Sequence, residues 1–270
     1  MAPLSKLNLT FLTVLWITFI ILATTLRHPV STEGQSVEVY INHFNSKRHN
    51  NVLEIERAYC NINYVKSITV LCAGPTCFNS SEFKCRKTKA RRVGRNLFDR
   101  FQKCTNPHTL HLSNDDDLVL NRWALDTMVA YAKVNTASIV GPYGRRADPF
   151  ASEEYGNPWH SLHENVALTN AALIPCRLIP VWQRWKEAKE FISTARGGCE
   201  DILLNMLSNK LLQSAVVEPK WELLRSFDTK LADNSGGLHG TAKGNWDGYR
   251  NECVRWGAKM IPRFMESLRD

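Results

Sequence analysis

Three consecutive carboxylates, Asp115, Asp116 and Asp117, sit in the run Leu112-Ser113-Asn114-Asp115-Asp116-Asp117-Leu118-Val119-Leu120, where an apolar strand should end. Hard cations such as Mg2+ and Mn2+ take oxygen ligands, and they commonly bind through one or two carboxylates while substrate phosphates complete the shell. An Asp-x-Asp at a strand end therefore suits a divalent cation held against a diphosphate. The same triplet also suits a solvated turn, because Asp side chains bond to nearby backbone. Alternate residues of an extended chain point opposite ways. On the metal reading Asp117 is the first choice as direct ligand. Asp115 then holds metal or water, and Asp116 points the other way.

Two further residues could do chemistry. Asp201 follows Gly197-Gly198 at what reads as the start of a helix from Ile202 to Leu212. A carboxylate there either satisfies free amides as a cap or serves a reaction centre, and the residues alone leave both readings open. Arg250 lies three residues before Cys253. A guanidinium stays charged and can donate two parallel hydrogen bonds to phosphate oxygens, although a lone arginine in a loop is more often a surface group. The five histidines His108, His111, His160, His163 and His239 lack the i,i+4 pairing of a zinc site. Trp159, Trp182, Trp185, Trp221 and Trp246 read as core, with room for one sugar-stacking platform among them.

The elements that must position these groups follow from periodicity. Val37 to Ile41 alternates as a strand, Val52 to Ile62 has helical spacing, and Ser67 to Leu71 is β-branched and apolar. A basic helix-like stretch covers Val93 to Phe101, and Thr109 to Leu112 is the strand that delivers the acidic triplet. A helix from Arg122 to Val134 comes next, then strands at Ser138 to Gly141 and Val166 to Ile174. Strands alternating with helices predict a mainly parallel sheet flanked by helices, with ligands bound beyond the carboxyl ends of the strands. The glycine-rich run Asp233 to Gly248 reads as a loop that could close over a ligand.

The chain has 270 residues, and its 44% hydrophobic composition is ample for a core. Leu9 to Leu26 carries no charge and, at about eighteen residues, is just long enough to span a bilayer. The expected organisation is a short cytosolic tail (1–8), a transmembrane signal anchor (9–26), a stem (27–36) and one globular domain (37–270). The eight cysteines and the Asn79-Ser80-Ser81 sequon suit a disulfide-permissive lumen. The formal charge is +8, and between Lys84 and Lys103 the only acid among many Lys and Arg residues is Asp99. In a lumenal protein such a patch is either a solvated basic face or a dock for a nucleotide diphosphate or a sulfated or uronic polysaccharide, rather than for nucleic acid.

Several segments, in order, resemble the exostosin and exostosin-like glycosyltransferases. The triplet after Leu112-Ser113 resembles their strand-borne Asp-x-Asp. Ile139-Val140-Gly141 with Arg145 is similar to their V-G-F-x-x-R, and Val166-Ala167-Leu168-Thr169-Asn170-Ala171-Ala172 to M-V-L-T-G-A-A. Cys199-Glu200-Asp201-Ile202-Leu203-Leu204-Asn205 matches C-E-D-I-x-x-N, and Arg250-Asn251-Glu252-Cys253 matches R-x-x-C. Before Leu112 the likeness is limited to the strand-helix-strand rhythm and Arg95 to Phe101, which is similar to N-x-L-N-x-R-F. Cys72-Ala73-Gly74 stands where relatives carry W-N-N.

The resemblance implies a GT-A-like fold and a membrane-anchored lumenal enzyme of the Golgi or endoplasmic reticulum, single-pass type II. It implies transfer of a sugar, N-acetylhexosamine or a related one, from a UDP-sugar to a glycan or glycoconjugate acceptor, with retention and Mn2+. Asp201 and Arg250 become the catalytic pair, with a Cys199–Cys253 disulfide holding them close. Asp117 and Asp115 become metal ligands. Asp115, Asp116, Arg145, Asn96 and Arg100 become substrate-binding residues. The alternatives are a catalytically inactive relative that binds glycans or assists a partner and, further off, a metal-dependent nuclease or phosphatase.

Overall fold

The computed structural model describes residues 34–74, 77–148, 154–156, 166–194, 198–212, 228–230 and 246–269, all within one compact unit, Thr32–Asp270. The apolar run Leu9 to Leu26 lies outside the described residues, as does most of the loop read at Asp233 to Gly248. Among the described residues no helix is long and apolar enough to cross a membrane.

The centre is a five-stranded sheet. β1 (Val37–His43) lies between β2 (Val65–Cys72) and β4 (Leu110–Asp115), β3 (Thr88–Arg92) forms one edge, and β9 (Ala171–Pro175) forms the other. All pairs are parallel except β4 with β9. Smaller pairings join β5 (Leu118–Leu120) to β10 (Asp228–Lys230) and join β6 (Gly144–Asp148) to β7 (Glu154–Gly156) and β8 (Val166–Ala167).

Alternation along the strands feeds two cores. On one face Val37, Val39 and Ile41 of β1 meet Val52, Ile55 and Tyr59 of α1 (His49–Cys60) and Leu125, Met128 and Val129 of α2 (Arg122–Val134). α2 begins where the Asn121 side chain accepts from the Ala124 amide at 2.9 Å, a cap that satisfies one of the otherwise unpaired first-turn donors. β9 serves both faces, for Leu173 packs in the first core while Ala172 and Ile174 pack in the second.

The second core is built around Trp182 of α3 (Ile179–Arg184) and Trp185, both fully buried. Against them pack α4 (Lys186–Thr194), α5 (Glu200–Leu212) and α6 (Trp246–Ser267). A Cβ on Gly257 of α6 would stand 2.7 Å from Leu203 Cδ2 of α5 and 2.9 Å from Met206 Sδ, so the close approach of these helices depends on a residue without a side chain. All eight cysteines are paired, as Cys60–Cys85, Cys72–Cys77, Cys104–Cys176 and Cys199–Cys253.

Three expected elements differ. The helix expected over Val93 to Phe101 is only a 3-10 turn at Leu97–Arg100, and the basic run just before it is the edge strand β3. An outer strand needs no apolar face on both sides, and Lys and Arg on an edge discourage pairing with other chains. The strand read over Val166 to Ile174 is two strands broken at Thr169 and Asn170. The strand read at Ser138 to Gly141 is a single bridge from Val140 to Leu173.

Candidate active site

The acidic triplet lies at the carboxyl end of β4, where the sheet places it beside the end of β1: Asn42 is the register partner of Asp115. Asn114 fixes the turn that follows. Its side-chain amide donates to the carbonyls of Asp115 at 2.8 Å and Leu118 at 2.7 Å, and its oxygen accepts from the buried Tyr59 hydroxyl at 2.8 Å. The Asn42 amide donates to Ser113 Oγ at 3.1 Å and to Asp115 Oδ1 at 3.3 Å.

The three carboxylates have different surroundings. Asp116 is 1% exposed and points inward, accepting from Arg48 Nη1 at 2.9 Å and the Phe44 amide at 3.2 Å, with His43 Nδ1 at 3.0 Å. It turns away from its neighbours as alternation requires, but it faces this buried cluster rather than an open sugar or ribose site. Asp117 stays 42% exposed and meets Arg48 Nη1 at 3.1 Å. Asp115 is 26% exposed and pairs with Arg100. Removal from bulk water pushes the Asp115 carboxyl up to about 7; Arg100 opposes that rise, and Asp117 and Asp116 add to it.

Arg100 joins this turn to the helical half of the site. From the end of its 3-10 turn it pairs with Asp115, donates to the Thr169 carbonyl at 2.9 Å and reaches Glu200 Oε1 at 2.9 Å. Burial works against its charge, yet Asp115 and Glu200 leave its pKa raised. Glu200 opens α5 and is 4% exposed. Burial, then the neighbouring Asp201, raises its pKa.

Asp201 is also 4% exposed, accepts from the Ile202 amide at 2.8 Å and lies 3.7 Å from Arg250 Nη2. The carboxylate therefore meets a helix-end amide, as a cap would, and also faces a buried guanidinium. The chain enters α5 through Gly198, whose φ of +100° suits glycine. Cys199, next in line, is bridged to Cys253, one turn beyond Arg250 on α6. Asn205 pins α5 to the sheet region: it accepts from the Ala167 amide at 3.0 Å and donates to the Ala167 carbonyl at 2.9 Å.

Asp115, Arg100, Glu200, Asp201 and Arg250 are thus linked through contacts between side chains adjacent in space or sequence. Two expected residues are placed differently. Asn96 uses its oxygen to cap the 3-10 turn, accepting from the Phe98 amide at 2.9 Å, and its amide donates to the Lys189 carbonyl at 3.1 Å. Arg145 lies half-buried on β6, with its guanidinium on the Gly144 carbonyl at 2.7 Å. Reading the sequence gave Glu200, Asn42 and Arg48 no role. Glu200 was visible inside C-E-D-I, whereas nothing in the local sequence marks Asn42 or Arg48, which become partners of the triplet only through strand register.

Among the described residues no three His, Cys, Asp or Glu side chains converge as a ready-made metal cage. The donor set instead fits a hard cation that keeps outside ligands, because Asp115 and Asp117 are the partly open carboxylates and lie on one turn.

The acidic turn at the end of β4 and the Asp201–Arg250 pair are thus joined through Arg100 and Glu200. The glycosyl transferase family 64 domain model matches residues 38–259, and the chain belongs to that family. A search of curated proteins found no match. Among solved structures, S. aureus TarS residues 1–349 is 14% identical with a TM-score of 0.38, over 64% of this chain and 55% of that one. A second S. aureus TarS structure is 13% identical with a TM-score of 0.37, over 64% of this chain and 34% of that one. The chain thus spans about half and about a third of those two chains, and likenesses so remote carry no functional argument.

Proposed function

We propose that the protein transfers a sugar from a UDP-sugar, an N-acetylhexosamine or a related donor, to a glycan or glycoconjugate acceptor with retention of configuration. The observation that supports this reading most is the link from Asp115 through Arg100 to Glu200, beside Asp201 and Arg250. It sets the acidic turn next to a buried carboxylate within a chain of family 64. On this reading the fold is GT-A-like, and the resemblance to the exostosins extends to their chemistry.

Asp117 and Asp115 would hold Mn2+ or another divalent cation, which supplies Lewis-acid neutralisation of the departing diphosphate. Arg250 holds the diphosphate. Asp201, kept from water and steadied by Arg250, orients the acceptor hydroxyl or stabilises positive charge at the anomeric carbon. Asp116 acts through structure, fixing Arg48 and the turn.

The reading places the domain in the lumen of the Golgi or endoplasmic reticulum, tethered by Leu9 to Leu26 as a type II anchor. Four disulfides support an oxidising compartment. The test is Mn2+-dependent UDP release across a panel of UDP-sugars, with Arg250→Ala expected to weaken both UDP binding and turnover. A second reading, a non-catalytic glycan-binding relative, is favoured by one observation: the Cys72–Cys77 bridge stands where family members carry W-N-N. UDP binding without release from any donor would support it.

A further inference from the structure

We infer that Arg48 is a resident counter-cation of the metal position: it holds Asp117 in the free protein and hands that carboxylate to the metal when the ion enters. The inference rests on the metal reading above. Arg48 closes the short turn Ser46–Arg48 after β1, and its side chain is 9% exposed. One nitrogen, Nη1, serves both Asp116 at 2.9 Å and Asp117 at 3.1 Å, while Nε is buried with no hydrogen-bond partner.

The two carboxylates are held unequally. Asp116 keeps His43 and the Phe44 amide if Arg48 shifts, and its backbone carbonyl accepts from Asn51 at 3.1 Å. Asp117 has Arg48 as the one side-chain partner found among the described residues, and its side chain is 42% exposed. An entering cation therefore meets one carboxylate free to change partners and one that is not. Arg48 remains anchored on Asp116, so its charge stays at the site after Asp117 is released. Free protein must break the Arg48–Asp117 pair to take up metal, and a metal arriving with a diphosphate gains further oxygen ligands that offset this loss. The arrangement makes metal and nucleotide binding mutually reinforcing.

The test measures metal uptake directly. Wild type and Arg48→Gln, whose amide can still donate to Asp116, are titrated with MnCl2 with and without UDP while free Mn2+ is followed by electron paramagnetic resonance. Without nucleotide the variant is expected to bind Mn2+ about two- to fivefold tighter, the worth of a partly exposed ion pair. In wild type labelled with 15N-arginine, the Arg48 Nε–H resonance is expected to shift as diamagnetic Mg2+ is added. Should Arg48→Gln melt far below wild type, the Mg2+ titration of the labelled wild type decides alone. Equal or weaker Mn2+ affinity in the variant, or an Arg48 resonance unmoved at saturating Mg2+, overturns the inference. Failure of the underlying metal reading is distinct: neither protein then takes up Mn2+ even with UDP present.

Discussion

The two halves of the site are held by different means. The acidic turn is placed by backbone: parallel register sets Asn42 beside Asp115, and Asn114 with Tyr59 locks the bend. The Asp201–Arg250 pair is placed by side chains and covalent chemistry: Gly198 turns the chain, Asn205 pins α5, and Cys199–Cys253 ties α5 to α6. The first half sits on strands of the first core and the second on helices of the second core, with Arg100 spanning them. On the proposed reading the strand-borne turn should keep its metal when the helical half is damaged, whereas the reverse does not follow, since Arg100 pairs with Asp115.

The largest effect is expected from Asp201→Asn. Asn caps helices about as well as Asp, so the fold and UDP binding should stay near wild type while turnover drops about 100- to 1,000-fold, the scale seen when a preorganised electrostatic group is removed. Near-wild-type turnover would reduce Asp201 to a cap. Arg100→Met attacks the seam between the halves. It leaves the buried Glu200 and the partly exposed Asp115 without their counter-charge, and breaking the buried Arg100–Glu200 pair costs about 3 to 5 kcal/mol, to be read as a fall in urea midpoint. A variant as stable as wild type would show that the two halves are not joined through this residue.

Replacing both Cys199 and Cys253 with Ser should destabilise the fold by about 4 kcal/mol on the chain-entropy account for a 54-residue separation. Mn2+ binding to the folded fraction should remain, because the strand-borne half does not use that bridge. Loss of metal binding in protein that remains folded would erase the distinction between the halves.

The smallest effect at neutral pH concerns His111, stacked on Tyr40 at 4.1 Å in the interior. Burial pushes its pKa down to about 3, while a histidine in an unfolded chain titrates near 6.5. Its stabilising share is complete above about pH 6.5 and is lost as the pH falls toward 3, by about 1.4 kcal/mol per pH unit. His111→Phe should therefore flatten the acid limb of a stability-versus-pH curve; an unchanged slope would show that this imidazole is not responsible.

What the sequence disclosed follows the same division. β1, β2 and α2 were legible because alternation and helical spacing act locally, and α2 runs from Arg122 to Val134 as its pattern indicated. The Cys199–Cys253 bridge came through the family resemblance, since spacing does not select a pairing. The edge strand β3 was hidden by its own charges, which resemble those of a solvated face. The break at Thr169 and Asn170 was hidden by an unbroken apolar pattern on both sides. Of the site, the acidic triplet stood out by residue type, while Asp201 and Arg250 were singled out through the family resemblance. Arg48, Asn42 and the bridging geometry of Arg100 could not, because they depend on which strand ends lie side by side.

The account turns on whether the two halves together cleave a sugar nucleotide. The most direct measurement is UDP release from a panel of UDP-sugars by the purified protein, with Mn2+ or with excess chelator. The expected result is release from at least one UDP-sugar that requires the metal, is stimulated by a glycan acceptor and is nearly abolished in Asp201→Asn. No release from any donor in Mn2+ by folded protein that binds UDP would contradict the account.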